Sequence, residues 1–231
     1  MIKASDLISK FQYALDNDWG YIWGKSGQLW TQRDQANASR EMTVKYGSKW
    51  IGHYVADCSG LFRWAYKQLG SDISHGSNLI YDGHCKAKGR LSGGRRTDGQ
   101  ELLPGTAVFT GTDGDHGHIG LYIGDGEVIE AAGTQQGVIK SKVTASKWTY
   151  WGELKQVDYT GGDEEKVPEG YAKVTGKRVA LREAPSTRAT ILTRVNTGEL
   201  VQLAEEPPKE WDYVEYKGRK GYMMREFLQE G

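Results

Sequence analysis

Val55-Ala56-Asp57-Cys58-Ser59-Gly60-Leu61-Phe62 decides how the chain is read, because it sets a thiol where an extended segment turns into a helix. Leu61, Phe62, Ala65, Tyr66 and Leu69 recur at helical spacing, and Gly70 supplies the stop. Cys58 is therefore expected in the first turn. There the unpaired N–H groups favour an anion, which lowers a thiol pKa and raises the thiolate fraction near neutral pH. A cysteine at this point also reads as a small buried residue of a core helix, since free cysteine is among the most buried residue types. The choice between the two turns on whether a base faces it.

His118 is the candidate base. It opens His118-Ile119-Gly120-Leu121-Tyr122-Ile123-Gly124, whose alternation predicts a strand, and Asp125-Gly126 turns the chain into Glu127-Val128-Ile129-Glu130-Ala131. A two-residue turn would pair Glu130 with Leu121 on the apolar face. A three-residue loop, Gly124 to Gly126, pairs Glu130 with Gly120 on the face that carries His118, and avoids burying a carboxylate among Ile119, Leu121 and Ile123. In that register Glu130 can hold the second imidazole nitrogen, as the third member of a catalytic triad does, with Gly120 leaving room between them.

Asp57-Cys58-Ser59-Gly60 before an apolar helix, Leu103-Pro104-Gly105 before a strand at Thr106 to Thr110, and His118-x-Gly-x-Tyr-x-Gly together resemble the NlpC-type bacterial cell-wall cysteine peptidases. The match covers roughly the first two thirds of the chain. The resemblance implies a papain-like fold that hydrolyses the bond between γ-D-glutamate and the diamino acid of peptidoglycan stem peptides, without a cofactor. Carried onto this sequence, it implies Cys58 as nucleophile, His118 as base and Glu130 as third residue. The family often has a second His at that third position, and the related CHAP wall hydrolases have a glutamate. Gly20-Tyr21-Ile22-Trp23-Gly24 resembles the family's Tyr-x-Trp-Gly element, which makes Tyr21, Asp57 and Ser59 the expected subsite for the amine of the stem peptide's first residue. The connection Gln28 to Tyr54 is longer than the family's usual one, and its polar run Gln32 to Val44 is expected to be helical and to fold over the cleft.

The chain has 231 residues, 38% of them hydrophobic, with eight Trp and thirteen Tyr, enough for one medium and one small domain with real cores. Thirty basic residues balance thirty acidic ones, which excludes a polyelectrolyte footprint for nucleic acid or an anionic membrane. Two cysteines, Cys58 and Cys85, do not make a disulfide framework and are expected to be free. The first fifteen residues carry no signal-peptide or membrane-span pattern. Leu7, Ile8, Phe11, Ala14 and Leu15 form one face of a helix that Ser5 or Asp6 can cap. A wall enzyme then leaves the cell by another route, as phage lysins do, or its leader has been trimmed. Ser71 to Gln100 reads as long loops, with Arg95 and Arg96 solvated in them.

Gly137-Val138-Ile139 and Trp148 to Leu154 complete the first domain, and the run from Asp158 has no apolar periodicity and reads as a linker. Beyond it five short runs, Arg178 to Leu181, Thr190 to Val195, Leu200 to Leu203, Tyr213 to Tyr216 and Gly221 to Met224, predict a small barrel. Val179-Ala180-Leu181-Arg182-x-x-Pro185-Ser186, Trp211-x-Tyr213-Val214 and Gly218-Arg219-Lys220-Gly221-Tyr222 resemble a bacterial SH3-like domain, implying a module that binds peptidoglycan or restricts the cleft. The expectation is an α+β chain: a papain-like peptidase domain over 1–157, with N-terminal helices on an antiparallel sheet, a linker over 158–168, and an all-β SH3-like barrel over 169–231. It is read as a monomer acting on bacterial peptidoglycan at the wall. Two other classes stay open. His53, Asp57, His116 and His118 have the order and spacing of a lysostaphin-type zinc site, since two histidines two apart on a strand share a face. A catalytically inactive wall-binding module is the other. An amidase or acyltransferase on the same fold is a further variant.

Overall fold

The computed structural model describes residues 1–159, 170–204 and 210–230. The chain divides into two compact units, Met1–Gly162 and Asp163–Gly231. In the first unit β1 (Ile2–Lys3) runs straight into α1 (Ala4–Asp16), followed by β2 (Gly20–Tyr21), β3 (Ser26–Leu29), α2 (Gln32–Ala36), α3 (Glu41–Tyr46), β4 (Tyr54–Ala56) and α4 (Cys58–Gln68). Next come a short helical turn α5 (Ser77–Leu79), β5 (Cys85–Ser92), β6 (Arg95–Arg96), β7 (Ala107–Thr112), β8 (Asp115–Gly124), β9 (Glu127–Gly133), β10 (Gly137–Lys142), β11 (Tyr150–Leu154) and β12 (Val157–Asp158).

Strands β5 to β11 form one seven-stranded antiparallel sheet in the order β10-β9-β8-β7-β11-β5-β6. Helices α1 and α4 pack together through Phe11 and Phe62, whose rings meet edge to face at 4.7 Å. Leu7, Phe11, Leu61 and Phe62 join Phe109, Ile119, Leu121 and Ile129 of the sheet in one buried core. The expected caps of α1 are not used: Lys3 precedes the helix with no side-chain cap, because Ile2 and Lys3 are held in parallel pairing with Val157 and Asp158. That pairing places Asp158 in a strand, and the rest of the expected linker from residue 160 lies outside the described residues.

Ser71 to Gln100 is not a long loop. Eight of its residues make β5, which pairs with β11 across Tyr150↔Arg90 to Leu154↔Cys85. Nor is Arg96 solvated. Its guanidinium is buried over the Trp151 ring at 3.5 Å and donates to Asp98, Gln100 and Glu153, whereas Arg95 is exposed.

The second unit holds β13 (Tyr171–Val174), β14 (Val179–Arg182), β15 (Ile191–Val195), β16 (Leu200–Ala204), β17 (Trp211–Tyr216), β18 (Arg219–Met224) and β19 (Leu228–Glu230). They form an antiparallel sheet in the order β15-β14-β18-β17-β16-β13-β19, around a core of Val174, Leu181, Val195, Val201, Val214 and Met223. Among the described residues no helix is long and apolar enough to cross a membrane.

Candidate active site

Strand β4 lies between β2 and β3, with Tyr21 opposite Ala56, and runs directly into α4. Asp57 is the cap: its carboxylate accepts from the Gly60 N–H at 2.7 Å, and Cys58 is the first helical residue, as expected. The same carboxylate accepts from the Gly24 N–H at 2.7 Å, which ties the Tyr21-Ile22-Trp23-Gly24 element to the helix start. Gly60 has a packing reason. A Cβ there would lie 2.0 Å from the Lys25 carbonyl oxygen, which itself accepts from the Asp57 N–H. Thus Tyr21, Asp57, Cys58 and Ser59 are brought together by close backbone approach.

The Cys58 thiol does not have the depressed pKa that the helix terminus alone implies. Burial pushes it up and the Asp57 carboxylate pushes the same way, against hydrogen bonds from the Ser59, Ile119 and Cys58 N–H groups, leaving it raised to about 11. Cys58 is only 7% exposed, and for so buried a thiol the cost of desolvating the thiolate exceeds what one helix end returns. Burial, then Cys58 and Asp57, also raise the Tyr21 phenol.

The hairpin puts Glu130 beside His118 by a different route from the three-residue loop. Gly124 pairs with Glu127 across a two-residue turn, with Asp125 at φ 51° and Gly126 at φ 72°. A bulge between Tyr122 and Gly124 then shifts the register, so that Leu121 lies opposite Ile129 and Glu130 falls opposite Gly120. His118 Nε2 lies 2.7 Å from Glu130 Oε2. A carboxylate only accepts, so Nε2 carries the proton and Nδ1 is the nitrogen left to act as a base. Glu130 is fully buried. Burial alone would raise its carboxyl, but hydrogen bonds from His118 and Lys147 outweigh it and hold it at about 2. The imidazole also stacks on Trp148 at 5.7 Å. A Cβ at Gly120 would meet Trp148 at 2.8 Å and Val128 at 2.6 Å, so the glycine makes the room the pair needs. No hydrogen bond joins Cys58 to His118; strand β8 meets the thiol through the Ile119 N–H.

The zinc arrangement is not assembled. Between β7 and β8, Thr110 pairs with His118 but Thr112 with Asp115, so β8 has an extra residue that breaks the alternation. His116 therefore turns into an aromatic cluster with Tyr81, Phe109 and Tyr150, while His118 turns to Trp148. His53 donates to the Asp18 carbonyl oxygen at 3.0 Å. Among the described residues no three His, Cys, Asp or Glu side chains are grouped to hold a metal.

Three residues of the site, His75, Lys147 and Arg40, were not visible in the sequence pattern, and Trp23 was visible only as part of the Tyr-x-Trp-Gly element. His75 Nε2 lies 2.9 Å from both oxygens of Asp57. Lys147 donates to Glu130 at 2.5 and 2.7 Å. Trp23, 56% exposed, lines two cavities, one of about 280 Å³ beside Cys58 and His75 and one of about 360 Å³ beside Tyr21. Arg40, over the Trp23 ring at 4.3 Å, walls the second cavity with Glu41, Met42 and Thr43. These come from the long connection, which does carry helices α2 and α3 and does border the cleft. Cys85 is the other free cysteine; burial pushes its thiol up to about 12.

Two family models match the chain: the NlpC/P60 family over residues 21–154 and the bacterial SH3 domain over residues 177–229. Peptidoglycan endopeptidase RipB of Mycobacterium tuberculosis is 32% identical over 106 residues, covering 46% of this chain and 38% of RipB. A probable endopeptidase of Mycobacterium bovis is 28% identical over 118 residues, covering 47% of this chain and 28% of that protein. The chain thus spans well under half the length of these relatives. The crystal structure of the P60 domain from an antigen of M. avium subspecies paratuberculosis is similar at 21% identity and a TM-score of 0.43, over 65% of this chain and 93% of that one. The NlpC/P60 model takes in more than half of the chain, including the Tyr-x-Trp-Gly element, the helix that begins at Cys58 and the His118 hairpin, and the chain belongs to the NlpC/P60 family.

Proposed function

We propose that the chain is a peptidoglycan hydrolase, a cysteine endopeptidase that cuts the bond between γ-D-glutamate and the diamino acid of wall stem peptides. It acts outside the cytoplasmic membrane, and its SH3-like unit binds the wall. The observation that carries the reading is the buried Cys58 at a helix start, against a strand whose His118 is fixed by a fully buried Glu130. Its relatives, a probable endopeptidase and a peptidoglycan endopeptidase among them, support the same class.

In this reading the resting thiol is neutral. His118 Nδ1 removes the thiol proton as sulfur bonds to the γ-glutamyl carbonyl carbon, and Glu130 stabilises the imidazolium that forms. Backbone N–H groups at the start of α4 receive the oxyanion. The C–N bond breaks as His118 returns the proton to the leaving amine; water, deprotonated by the same imidazole, then hydrolyses the thioester. Tyr21, Asp57 and Ser59 flank the thiol as the acyl-side subsite, and Trp23 is a platform for the substrate backbone. The test is solubilisation of purified peptidoglycan: activity lost in Cys58→Ala and after iodoacetamide but retained with a chelator supports the thiol mechanism, and activity surviving Cys58→Ala refutes it.

A further inference from the structure

Asp57 forms the floor of the cleft beside Cys58, and its carboxylate is engaged entirely from within the chain. Oδ1 accepts from the Gly60 N–H at 2.7 Å and the Ser59 hydroxyl at 3.2 Å, and Oδ2 accepts from the Gly24 N–H at 2.7 Å. His75 Nε2 then spans both oxygens at 2.9 Å. Asp57 is 5% exposed, whereas the His75 side chain is 24% exposed and lines the cavity with Cys58. The group that this side of the cleft offers a substrate is thus an imidazole edge, not a carboxylate.

His75 is held there by its neighbours. Ile73 is buried, and Ser74 Oγ lies 2.9 Å from His84 Nε2. Gly76 has φ 142°, a conformation that favours glycine, and Asn78 beyond it accepts from the His116 N–H and donates to Asp115. A substrate ammonium entering here would shed water and find every Asp57 lone pair taken, with the Nε2–H donor between it and the charge. An amide N–H brings no charge that needs the carboxylate, so an occupied Asp57 does not penalise it.

We propose that His75 determines specificity by occupying Asp57, so that the cleft takes stem peptides whose first residue is amide-linked, as in intact wall, in preference to stem peptides with a free amine. This departs from the amine-holding role expected of Asp57 and Ser59, and it rests on the reading of the chain as a stem-peptide endopeptidase.

The experiment compares kcat/KM for L-Ala-γ-D-Glu-diamino acid peptides with a free and with an acetylated amine. Wild type is expected to favour the acetylated peptide by about tenfold or more, the scale of one unmet charged hydrogen bond. His75→Ala, which frees Asp57, shifts the ratio toward the free amine by a similar factor. His75→Gln keeps the wild-type ratio, because its carboxamide still donates to Asp57. A wild-type preference for the free amine, or a ratio unmoved in His75→Ala, overturns the proposal. If wild type cuts neither peptide, the endopeptidase reading fails, and calorimetry of the same two peptides on Cys58→Ala decides the inference. Tighter binding of the acetylated peptide supports it, and equal, weaker or absent binding overturns it.

Discussion

Cys58 and Glu130 are both buried ionisable groups, and their environments drive them in opposite directions. The thiol has only backbone donors to set against burial and the Asp57 charge, so it stays protonated well above neutral pH. Glu130 is buried too, but hydrogen bonds from the His118 ring and the Lys147 ammonium more than compensate. Alkylation of free enzyme by iodoacetamide should therefore be slow near neutrality and keep rising as pH approaches about 11; a plateau already reached by about pH 7 would show a preformed thiolate. Glu130→Gln should lower kcat/KM by ~10²-fold or more, since a carboxamide cannot stabilise an imidazolium as a carboxylate does. The same carboxyl makes an acid-stability prediction. Its folded pKa, about 2, lies below its ordinary 4.5, so its contribution is full above 4.5 and is lost as pH falls toward 2. Urea midpoints should drop through that window in wild type and less so in Glu130→Gln. At this level the sequence singled out Cys58, His118 and Glu130 as candidates, the first two from short motifs and the third from the hairpin register. His75 and Lys147 were hidden, since neither lies in a periodic segment and both reach the site only through tertiary packing.

Helix α4 and the β8–β9 hairpin carry the candidate site, and both were legible from apolar spacing at 3.6 and 2 residues. What spacing does not reveal is a bulge. One in the hairpin moved Glu130 into register with Gly120, and another in β8 separated His116 from His118, undoing the zinc pattern that strict alternation implies. Strand β5 was missed for a related reason. Its Lys86, Lys88, Arg90 and Gly89 resemble a loop, and it becomes a strand by pairing with β11 some sixty residues on. The tight fit around Gly120 gives a test. Gly120→Ala forces a methyl group against Val128 and Trp148 and should cost about 1–3 kcal/mol in chemical denaturation. It should also lower kcat, because Trp148 is the ring on which His118 stacks. Unchanged stability and rate would show that the hairpin yields without consequence.

Each unit of the molecule has its own buried core, and among the described residues the buried side chains of the second core all lie on short strands. Five of the seven strands among its described residues were readable from turn-bounded alternation. Tyr171–Val174 and Leu228–Glu230 were not, being three or four residues long and paired with each other from opposite ends of the unit. If that unit holds the enzyme on its insoluble substrate, a chain ending at Gly162 should cut soluble stem peptides at the full-length rate yet digest sacculi about 10–10²-fold more slowly, the loss expected when tethering is removed. Equal digestion of sacculi by both forms would remove wall binding from its role. The proposed cleavage falls at one bond, and mass spectrometry of the termini released from purified peptidoglycan by the full chain identifies that bond. Cleavage there leaves new amines on the diamino acid and new γ-D-glutamate carboxylates, both absent with Cys58→Ala. Termini at any other bond, or the same termini released by Cys58→Ala, would contradict it.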